Sequence, residues 1–412
     1  MNILCVSKYA APPKYSKMPA RLFELASEFN RIGHSTNLIT SDSNHLANFP
    51  ILKKKYSDEL IDGVEVRWFN TLKYKKTGSI ARVLSWFHFE IQLFFMPTKR
   101  FLKPDVILIS SLSIFSILYG YYLKKKFNAF LIFEIRDIWP LTLTEEGGFP
   151  KWHPLVCLMG IVEKFGYKKA DLIVGTMPKL DLHVEKIIGH QKPFHCSPIG
   201  FNPDNYNHTK ISTNLEESLK LSIPKGRVVI GYAGSMGLTN SLEMFIDVIE
   251  SFKNDASVYF LLVGSGDQKK YYEEQLVECD NVLFLPRVAQ KEVNSILKLC
   301  DVLYLSTKDS EVWKYGQSMN KVVEYMLASK PIIASYSGYP SMINEANCGF
   351  FVDQSSMLNL KNAISKMIKF NNVDRKIMGK NGRNWIYSNR KYSILAKDYA
   401  DAITLLMAQA DF

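Results

Sequence analysis

Three polar residues follow a loop and share one face of a short, otherwise apolar helix. Asn320 and Lys321 lie four and three positions before Glu324, so the helical period brings the three side chains together. The Lys321 ammonium and the amides at the helix start are suited to hold a diphosphate. Glu324 can accept hydrogen bonds from both hydroxyls of a ribose. The alternative is a surface ion pair worth a few tenths of a kcal/mol. An ion pair on a helix is weaker when the lysine precedes the glutamate than in the reverse order, so pairing alone explains this placement poorly.

Two glycine turns follow apolar, strand-like runs of the same half of the chain. Residues 231–243 read GYAGSMGLTNSLE, where glycines let a ligand approach the backbone and the next helix offers unpaired amides. Residues 261–267, LLVGSGD, are more typical of tight turning than of ligand contact. Because ligands of parallel α/β folds bind at the carboxyl ends of the strands, we expect these turns and the loop before Asn320 to converge.

A fourth candidate lies in the first half, where Arg136 and Asp137 follow the buried strand 130–135. Asp137 can accept a proton from an attacking hydroxyl, or orient that hydroxyl. Arg136 can stabilise a leaving diphosphate or bind an acceptor phosphate. A structural Arg–Asp pair at a strand end is the alternative. The polar residues 143–148 that follow are interpreted as a mobile acceptor loop.

Alternating strands and helices must position these residues. Strand-like runs and helical patterns follow one another from residue 3 to 175 and again from 228 onward, which predicts parallel sheets covered on both faces. The stretch 192–225, rich in Pro, Asn, Ser and Gly, breaks the rhythm and is predicted as a linker followed by a surface excursion. The predicted fold class is α/β, with two doubly wound, Rossmann-like domains facing a cleft. We expect domains at 1–195 and 196–391, and a helix at 392–412 that packs back on the first domain.

Bulk composition agrees with an ordinary globular protein of two domains. The chain has 412 residues, of which 47% are hydrophobic and 22% charged. Its six cysteines form no CxxC pair, which favours buried thiols in a reducing compartment. The start, MNILCV, reads as a buried strand rather than as a signal peptide. The uncharged run 106–123 is interpreted as a strand and a helix rather than as a membrane span.

The positive charge is concentrated in the first half of the chain. Residues 1–200 hold 27 basic and 17 acidic residues, a net charge of +10, out of +11 for the whole chain. Residues 71–104 combine basic side chains with many aromatic and aliphatic ones, which suits an anionic membrane surface. A core-packed helix with a solvated basic face is the alternative, and no nucleic-acid motif accompanies the charge. The expected membrane contacts are Lys73, Lys75, Lys76, Arg82, Lys99, Arg100 and Lys103.

Residues 315–335, YGQSMNKVVEYMLASKPIIAS, resemble the donor-site segment of retaining family 4 glycosyltransferases of GT-B fold. Glu324 takes the place of the second of that family's two glutamates, and Gly316 takes the place of the first. This replacement resembles the branch that makes bacterial O-antigen and capsule, including N-acetylfucosaminyl transferases. RxGH at 31–34, RDIWP at 136–140 and GF at 349–350 support the resemblance over nearly the whole chain.

The resemblance implies a set of site residues. Ser235 and Asn240 stand where relatives often carry Arg and Lys, so Lys321 is expected to supply the charge for the phosphates. The expected donor-binding residues are Gly234, Ser235, Gly237, Asn240, Arg287, Val288, Gly316, Ser318, Met319, Asn320, Lys321 and Glu324. The expected acceptor-binding residues are Lys14, Tyr15, Arg21, Trp139 and Glu145. Asp137 and Arg136 are the expected catalytic residues, and no metal or other cofactor is expected.

The function expected from this reasoning is retaining transfer of a sugar from a UDP-sugar to a lipid-linked precursor of a surface polysaccharide. An N-acetylated deoxyhexosamine is one candidate sugar. The enzyme is expected in the cytoplasm, peripherally bound to the inner face of the plasma membrane. Two alternatives are a UDP-sugar 2-epimerase of the same fold and a non-catalytic sugar-nucleotide binder.

Overall fold

The computed structural model describes residues 1–15, 20–43, 52–74, 79–97, 103–205, 219 and 222–409. The chain divides into two compact units. Met1–Gly200 and the chain from Tyr392 onward form the first unit, and Phe201–Lys391 form the second. The division thus falls between Gly200 and Phe201 rather than between residues 195 and 196.

The first unit is built on a sheet with the strand order β3-β4-β2-β1-β5-β6-β7-β8. Its neighbouring strands pair in parallel, except that β3 is antiparallel to β4. The strands β1, β5, β6 and β7 are almost wholly buried because helices cover both faces of the sheet. The strands are β1 (Asn2–Val6), β2 (Ser35–Ser41), β3 (Tyr56–Ile61), β4 (Val64–Phe69), β5 (Val106–Ser110), β6 (Phe130–Ile135), β7 (Leu172–Gly175) and β8 (Phe194–Cys196).

Within the described part of the first 200 residues, six helices connect these strands. They are α1 (Arg21–Arg31), α2 (Ile80–Phe94), α3 (Ser116–Phe127), α4 (Leu141–Glu145), α5 (Pro154–Lys169) and α6 (Leu180–Ile188). Helix α6 ends at Gly189, whose φ of +82° is the left-handed conformation that glycine adopts without strain. Helix α3 ends in the same way at Asn128, with a φ of +53°.

The second unit repeats the plan with the strand order β11-β10-β9-β12-β13-β14, all pairs parallel. Its strands are β9 (Val228–Ser235), β10 (Val258–Ser265), β11 (Val282–Leu285), β12 (Val302–Ser306), β13 (Ile332–Ser335) and β14 (Gly349–Val352). Its helices are α7 (Glu243–Ser251), α8 (Lys269–Gln275), α9 (Gln290–Lys298), α10 (Asn320–Leu327), α11 (Met357–Lys369) and α12 (Asn372–Asn389). The two sheets confirm the predicted α/β class with two doubly wound domains.

The last helix, α13 (Tyr392–Gln409), belongs to the first unit although it follows the second along the chain. Its residues Leu395 and Tyr399 share a buried cluster with Leu22 and Phe29 of α1. The rings of Phe29 and Tyr399 meet edge to face, with centroids 5.6 Å apart. Helix α13 therefore completes the core of the first unit.

The sequence reasoning missed three strands, and each lies at or near a sheet edge. β3 has the sequence YSDELI and exposes most of its side chains, so it lacks the apolar run that marks a buried strand. β8 has three residues, all partly buried, and β14 is a four-residue edge strand. Short or polar edge strands carry too little pattern to be predicted from sequence.

The uncharged run 106–123 forms β5, a short connection and the beginning of α3, which confirms its interpretation as a strand followed by a helix. Among the described residues, no helix combines the length and the hydropathy needed to cross a membrane.

Candidate functional site

The second sheet reverses its winding direction between β9 and β12, which are neighbours although β10, β11 and the helices α7, α8 and α9 lie between them along the chain. At such a point the loops after the two strands turn away from each other and leave a crevice at the carboxyl edge. The turn 235–240 follows β9, and the loop that leads to Asn320 follows β12. These are two of the three turns that the sequence analysis selected.

Lys321 lies in the first turn of α10 and reaches back to the turn after β9. Its Nζ donates hydrogen bonds to Asn240 Oδ1 at 3.0 Å and to the Tyr232 hydroxyl at 3.1 Å. The same ammonium lies 4.4 Å from the centre of the Tyr232 ring. A Cβ at position 234 would lie 2.8 Å from Nζ, so a side chain there would push the end of the lysine aside. The structure thus brings Gly234, Asn240 and Lys321 together, as the sequence predicted.

Burial governs the charge of this lysine. Loss of hydration lowers the pKa of Lys321 to about 8, and the negative charge of Glu324 opposes that shift. At neutral pH the side chain is therefore mostly protonated, but it is poorly solvated. Such a cation gains more from a phosphate ligand than a fully hydrated one would.

Two hydroxyl groups fix the elements that carry the site. The Tyr325 hydroxyl of α10 accepts a hydrogen bond from the Ala233 amide at 3.0 Å and lies 3.4 Å from the Ala233 carbonyl. The Ser306 hydroxyl, at the end of β12, donates to the Asn240 carbonyl at 2.6 Å. The helix and both strands of the switch point are therefore held in one arrangement by polar contacts as well as by packing.

The glycines of the second turn support the first turn. A Cβ at Gly264 would lie 1.8 Å from the Gly234 carbonyl oxygen, and a Cβ at Gly266 would lie 2.3 Å from the Met236 backbone. Both glycines thus permit close contact between two backbones. This close packing agrees with the interpretation of residues 261–267 as a tight turn.

Gly316 has a backbone conformation that the sequence alone did not reveal. Its φ of +103° and ψ of −175° are nearly exclusive to glycine. Its neighbour Gln317 is buried, accepts a hydrogen bond from the Met319 amide at 3.2 Å, and donates to the Ser341 carbonyl at 3.4 Å. Position 316, where the resembling family carries its first glutamate, therefore has a backbone conformation that a residue with a side chain could adopt only with strain. Gln317 was missed, since one amide in a loop gives no pattern.

The other predicted donor residues divide into two groups. Ser318, Met319 and Asn320 lie partly buried at the start of α10, and Glu324 lies partly buried one turn further. Ser235 is the last residue of β9, and Gly237 lies in the turn that follows. Arg287 and Val288 follow the edge strand β11, which β10 separates from β9. The structure therefore gathers the first group around the switch point and leaves Arg287 and Val288 at the sheet edge.

Arg136 and Asp137 emerge at the carboxyl end of β6 in the first unit, as expected. Their backbone is held by Ser111, whose hydroxyl accepts from the Arg136 amide at 3.0 Å and donates to the Asp137 carbonyl at 3.3 Å. Burial raises the pKa of Asp137, while the charges of Arg136 and Arg82 oppose that rise. A carboxylate of raised pKa is better suited to accept a proton than an exposed one.

The expectation that Arg21 binds the acceptor is wrong. Its side chain is 1% exposed and forms an ion pair of 2.6 Å with Glu134, which is fully buried. The remaining donors of its guanidinium bond the Ser197 carbonyl at 2.5 Å, the Ser197 hydroxyl at 3.0 Å and the Pro198 carbonyl at 3.3 Å. The structure therefore assigns Arg21 to the interior of the first unit and not to an acceptor surface.

The other predicted acceptor residues lie at two places. Lys14 forms an ion pair with Glu59, and the Tyr15 hydroxyl lies 3.3 Å from the same carboxylate. Trp139 meets Trp86 of α2 edge to face, with centroids 6.4 Å apart. Glu145 ends α4 and is partly exposed.

The predicted membrane cations are only partly described. Lys73 pairs with the buried Asp42, and Arg82 lies 5.3 Å from the Trp86 ring. Lys103 is exposed. Lys75, Lys76, Lys99 and Arg100 lie outside the described residues.

Lys8 was not selected from the sequence, although it is buried beyond the end of β1. Its Nζ donates to the Ser43 carbonyl at 2.8 Å. Burial lowers the pKa of Lys8 to about 7. Lysines are common near strand ends, so the sequence gives no sign that this one is buried. Within the described residues, no three His, Cys, Asp or Glu side chains are grouped as metal ligands.

Comparison with known proteins finds similar sequences for part of the chain. The family model described as glycosyl transferases group 1 matches residues 227–369, within the second unit. A curated relative, an uncharacterized glycosyltransferase of Methanocaldococcus jannaschii, is 21% identical over 245 residues. That match covers 58% of this chain and 59% of the relative, so the chain spans less than two thirds of the relative's length.

Solved structures resemble the chain over almost its full length. Sucrose-phosphate synthase of Thermosynechococcus elongatus has a TM-score of 0.71 at 15% identity, covering 99% of each chain. Anabaena HepE in complex with UDP and glucose has a TM-score of 0.64 at 15% identity, covering 98% of this chain and 99% of HepE. WaaG, a glycosyltransferase involved in lipopolysaccharide biosynthesis, has a TM-score of 0.64 at 17% identity, covering 98% of this chain and all of WaaG.

The fold is that of the GT-B glycosyltransferases, and residues 227–369 of the second unit match the model of glycosyl transferases group 1. The switch point with Lys321 lies inside the matched residues 227–369. These matches support glycosyltransferase activity for the protein.

Proposed function

We propose that the protein is a retaining glycosyltransferase that moves a sugar from a UDP-sugar to a lipid-linked precursor of a surface polysaccharide. The observation that carries the proposal is the Lys321 ammonium, held by Asn240 and Tyr232 at the switch point of a group 1 domain. The proposed place of action is the cytoplasmic face of the plasma membrane.

The diphosphate of the donor binds at Lys321 in this proposal. Helix α10 begins there without a side-chain cap on its amides, and amides at a helix start attract anions. Because Lys321 is poorly hydrated, its attraction for the diphosphate is strong. Glu324, one helical turn further, accepts hydrogen bonds from the ribose hydroxyls.

The sugar is proposed to lie against the glycine loop at Gly316. A side chain there would be strained, so contacts to the sugar come from backbone groups of residues 316–319. The resemblance to N-acetylfucosaminyl transferases makes an N-acetylated deoxyhexosamine the first donor sugar to test. For the acceptor, Asp137 is proposed to receive or orient the hydroxyl proton and Arg136 to stabilise developing negative charge.

The test is titration calorimetry of UDP with Lys321→Ala and Glu324→Ala. Each variant should weaken binding about 5- to 150-fold, which corresponds to about 1–3 kcal/mol for a charged hydrogen bond. Lys270→Ala is the control, since Lys270 is an 87% exposed lysine of the same unit. Unchanged affinity in both variants would contradict the assignment of the site.

Activity is tested by mass spectrometry of products formed from a panel of UDP-sugars and extracted membrane lipids. Transfer to a lipid-linked saccharide, with the anomeric configuration retained by NMR, is the expected result. Rapid conversion of a UDP-sugar to its epimer without acceptor would favour the epimerase instead. UDP binding without turnover of any donor would favour a non-catalytic binder.

A further inference from the structure

Helix α2 exposes a continuous apolar stripe. The spacing of its members is four, three, four and three residues, so they share one face of the helix. Ile80 is 79% exposed, and Leu84 and Ile91 are each more than half exposed. The stripe consists of Ile80, Leu84, Phe87, Ile91 and Phe94, and Phe95 extends it at the helix end.

The edge of the stripe takes part in packing, since the Phe87 ring lies 5.2 Å from Phe115 and the Phe94 ring 5.3 Å from Tyr119, but Ile80, Leu84 and Ile91 each remain more than half exposed. The opposite side of α2 is buried through Trp86, Phe89 and Leu93. Helix α3 widens the exposed face, since Leu118 and Tyr122 are also exposed and the rings of Phe94 and Tyr122 are 6.2 Å apart. An exposed apolar patch of this extent marks an interaction surface.

The charges around this face are positive. Glu90 is the only carboxylate in the sequence of α2, and it is buried with both Ser113 and Ser116 donating to it at 2.6 Å. Helix α3 contains no carboxylate and ends with Lys124, Lys125 and Lys126. Lys126 lies 5.6 Å from the Tyr122 ring, so apolar, aromatic and cationic groups follow one another across the face.

We propose that the exposed face of α2 and α3, defined by the stripe with Leu118, Tyr122, Lys125 and Lys126, docks on an anionic lipid bilayer. Helix α2, about 22 Å long, would lie in the plane of the interface with its stripe among the acyl chains and the lysines at the headgroups. A second copy of the chain fits less well, because two lysine-bearing faces without exposed carboxylates repel each other. The outer face of α2 is thus apolar, which does not agree with the alternative of a core-packed helix with a solvated basic face.

This docking also bears on the acceptor. From the other side of α2, the Arg82 Nε donates to the Tyr9 hydroxyl at 3.4 Å, and the Trp86 ring lies against Trp139. The helix that meets the bilayer therefore also borders the strand end that holds Asp137. The docking itself is independent of the proposed function. Only its link to a lipid-linked acceptor rests on that function.

The experiment is flotation of the full chain with vesicles of phosphatidylcholine and phosphatidylglycerol, without donor or acceptor. The double variant Ile80→Asp, Ile91→Asp should lower the partition coefficient at least tenfold. The control Val277→Asp changes a residue of the second unit that is also 79% exposed, and it should leave partition unchanged. UDP affinity should be the same in all three proteins, which separates this proposal from that of the sugar-nucleotide site.

Three results would overturn the proposal. One is equal vesicle binding by the parent and the double variant. The second is equal loss of binding in Val277→Asp, which would show a general effect of added charge. The third is a parent protein that does not bind vesicles but forms a dimer, together with a double variant that is monomeric. A second copy of the chain would then cover the face.

Discussion

Replacing Lys321 with methionine should stabilise the second unit and weaken UDP binding at the same time. Methionine has nearly the same length and fills the same space without a charge. The parent protein holds an ammonium where hydration is poor, and burial lowers the pKa of Lys321 to about 8. That placement costs folding free energy, and in the proposed function a bound diphosphate offsets that cost.

The size of the effect follows from the pKa and the contacts. A shift from 10.5 to about 8 corresponds to about 3 kcal/mol at 1.36 kcal/mol per unit. Partial exposure of the side chain reduces this cost to about 2–3 kcal/mol. The hydrogen bonds to Asn240 and Tyr232 return about 1–2 kcal/mol together. The variant should therefore be more stable by about 1 kcal/mol at pH 7.

The difference should reverse its sign in alkaline solution. The unfolded chain binds more protons at Lys321 than the folded chain between about pH 8 and pH 10.5, so the stability of the parent rises with pH in that window. By pH 10 the parent has lost most of the cost of the buried charge and keeps its hydrogen bonds. The variant, which cannot titrate there, should then be the less stable protein.

The assay is urea-induced unfolding of the parent, Lys321→Met and Lys270→Met at pH 7 and pH 10, with UDP affinity measured by calorimetry at pH 7. Subtracting the parent from each variant cancels the titrations that the proteins share. The reasoning is refuted if Lys321→Met is less stable at pH 7 by more than about 1 kcal/mol, or if its difference from the parent is the same at both pH values.

Three further predictions concern the frameworks of the two units. Glu134→Gln should cost about 3–5 kcal/mol in urea unfolding because it leaves the buried Arg21 without its counter-charge. Gly316→Ala should cost about 1–3 kcal/mol through its φ of +103°, while Gly237→Ala, where a Cβ meets nothing closer than 3.4 Å, should be nearly neutral. Gly264→Ala should lower both the thermal midpoint and UDP affinity, since its Cβ would displace the turn that carries Gly234; unchanged affinity would contradict that support.

The sequence predicted the parts of the fold that leave a strong pattern. Buried strands such as β5, VILIS, and β6, FLIFEI, are continuous apolar runs, because both faces of a doubly wound sheet are covered. The edge strand β3, YSDELI, has no such run, since its pairing depends on β4 rather than on burial of its own side chains.

The candidate site was predictable where one element carries it. Lys321 and Glu324 share a helix face, so spacing alone placed them together. The partner Asn240 lies 81 positions from Lys321, and only resemblance to a known family connected the two. Arg21 shows the limit, because its counter-charge Glu134 lies 113 positions away and the helix pattern gives no sign of an interior ion pair.

The return of α13 to the first unit makes the second unit an insertion within the first. The core of the first unit contains Tyr392, Leu395, Tyr399 and Ile403, which leave the ribosome only after the whole second unit. During synthesis the second unit, a continuous segment from Phe201 to Lys391, can fold while the first still lacks one wall of its core. A chain that stops before Tyr392 would keep every residue of the Lys321 site and still expose the apolar side of α1. A chain without α13 should therefore lose function because it folds poorly and is degraded in the cell, and not because its Lys321 site is damaged.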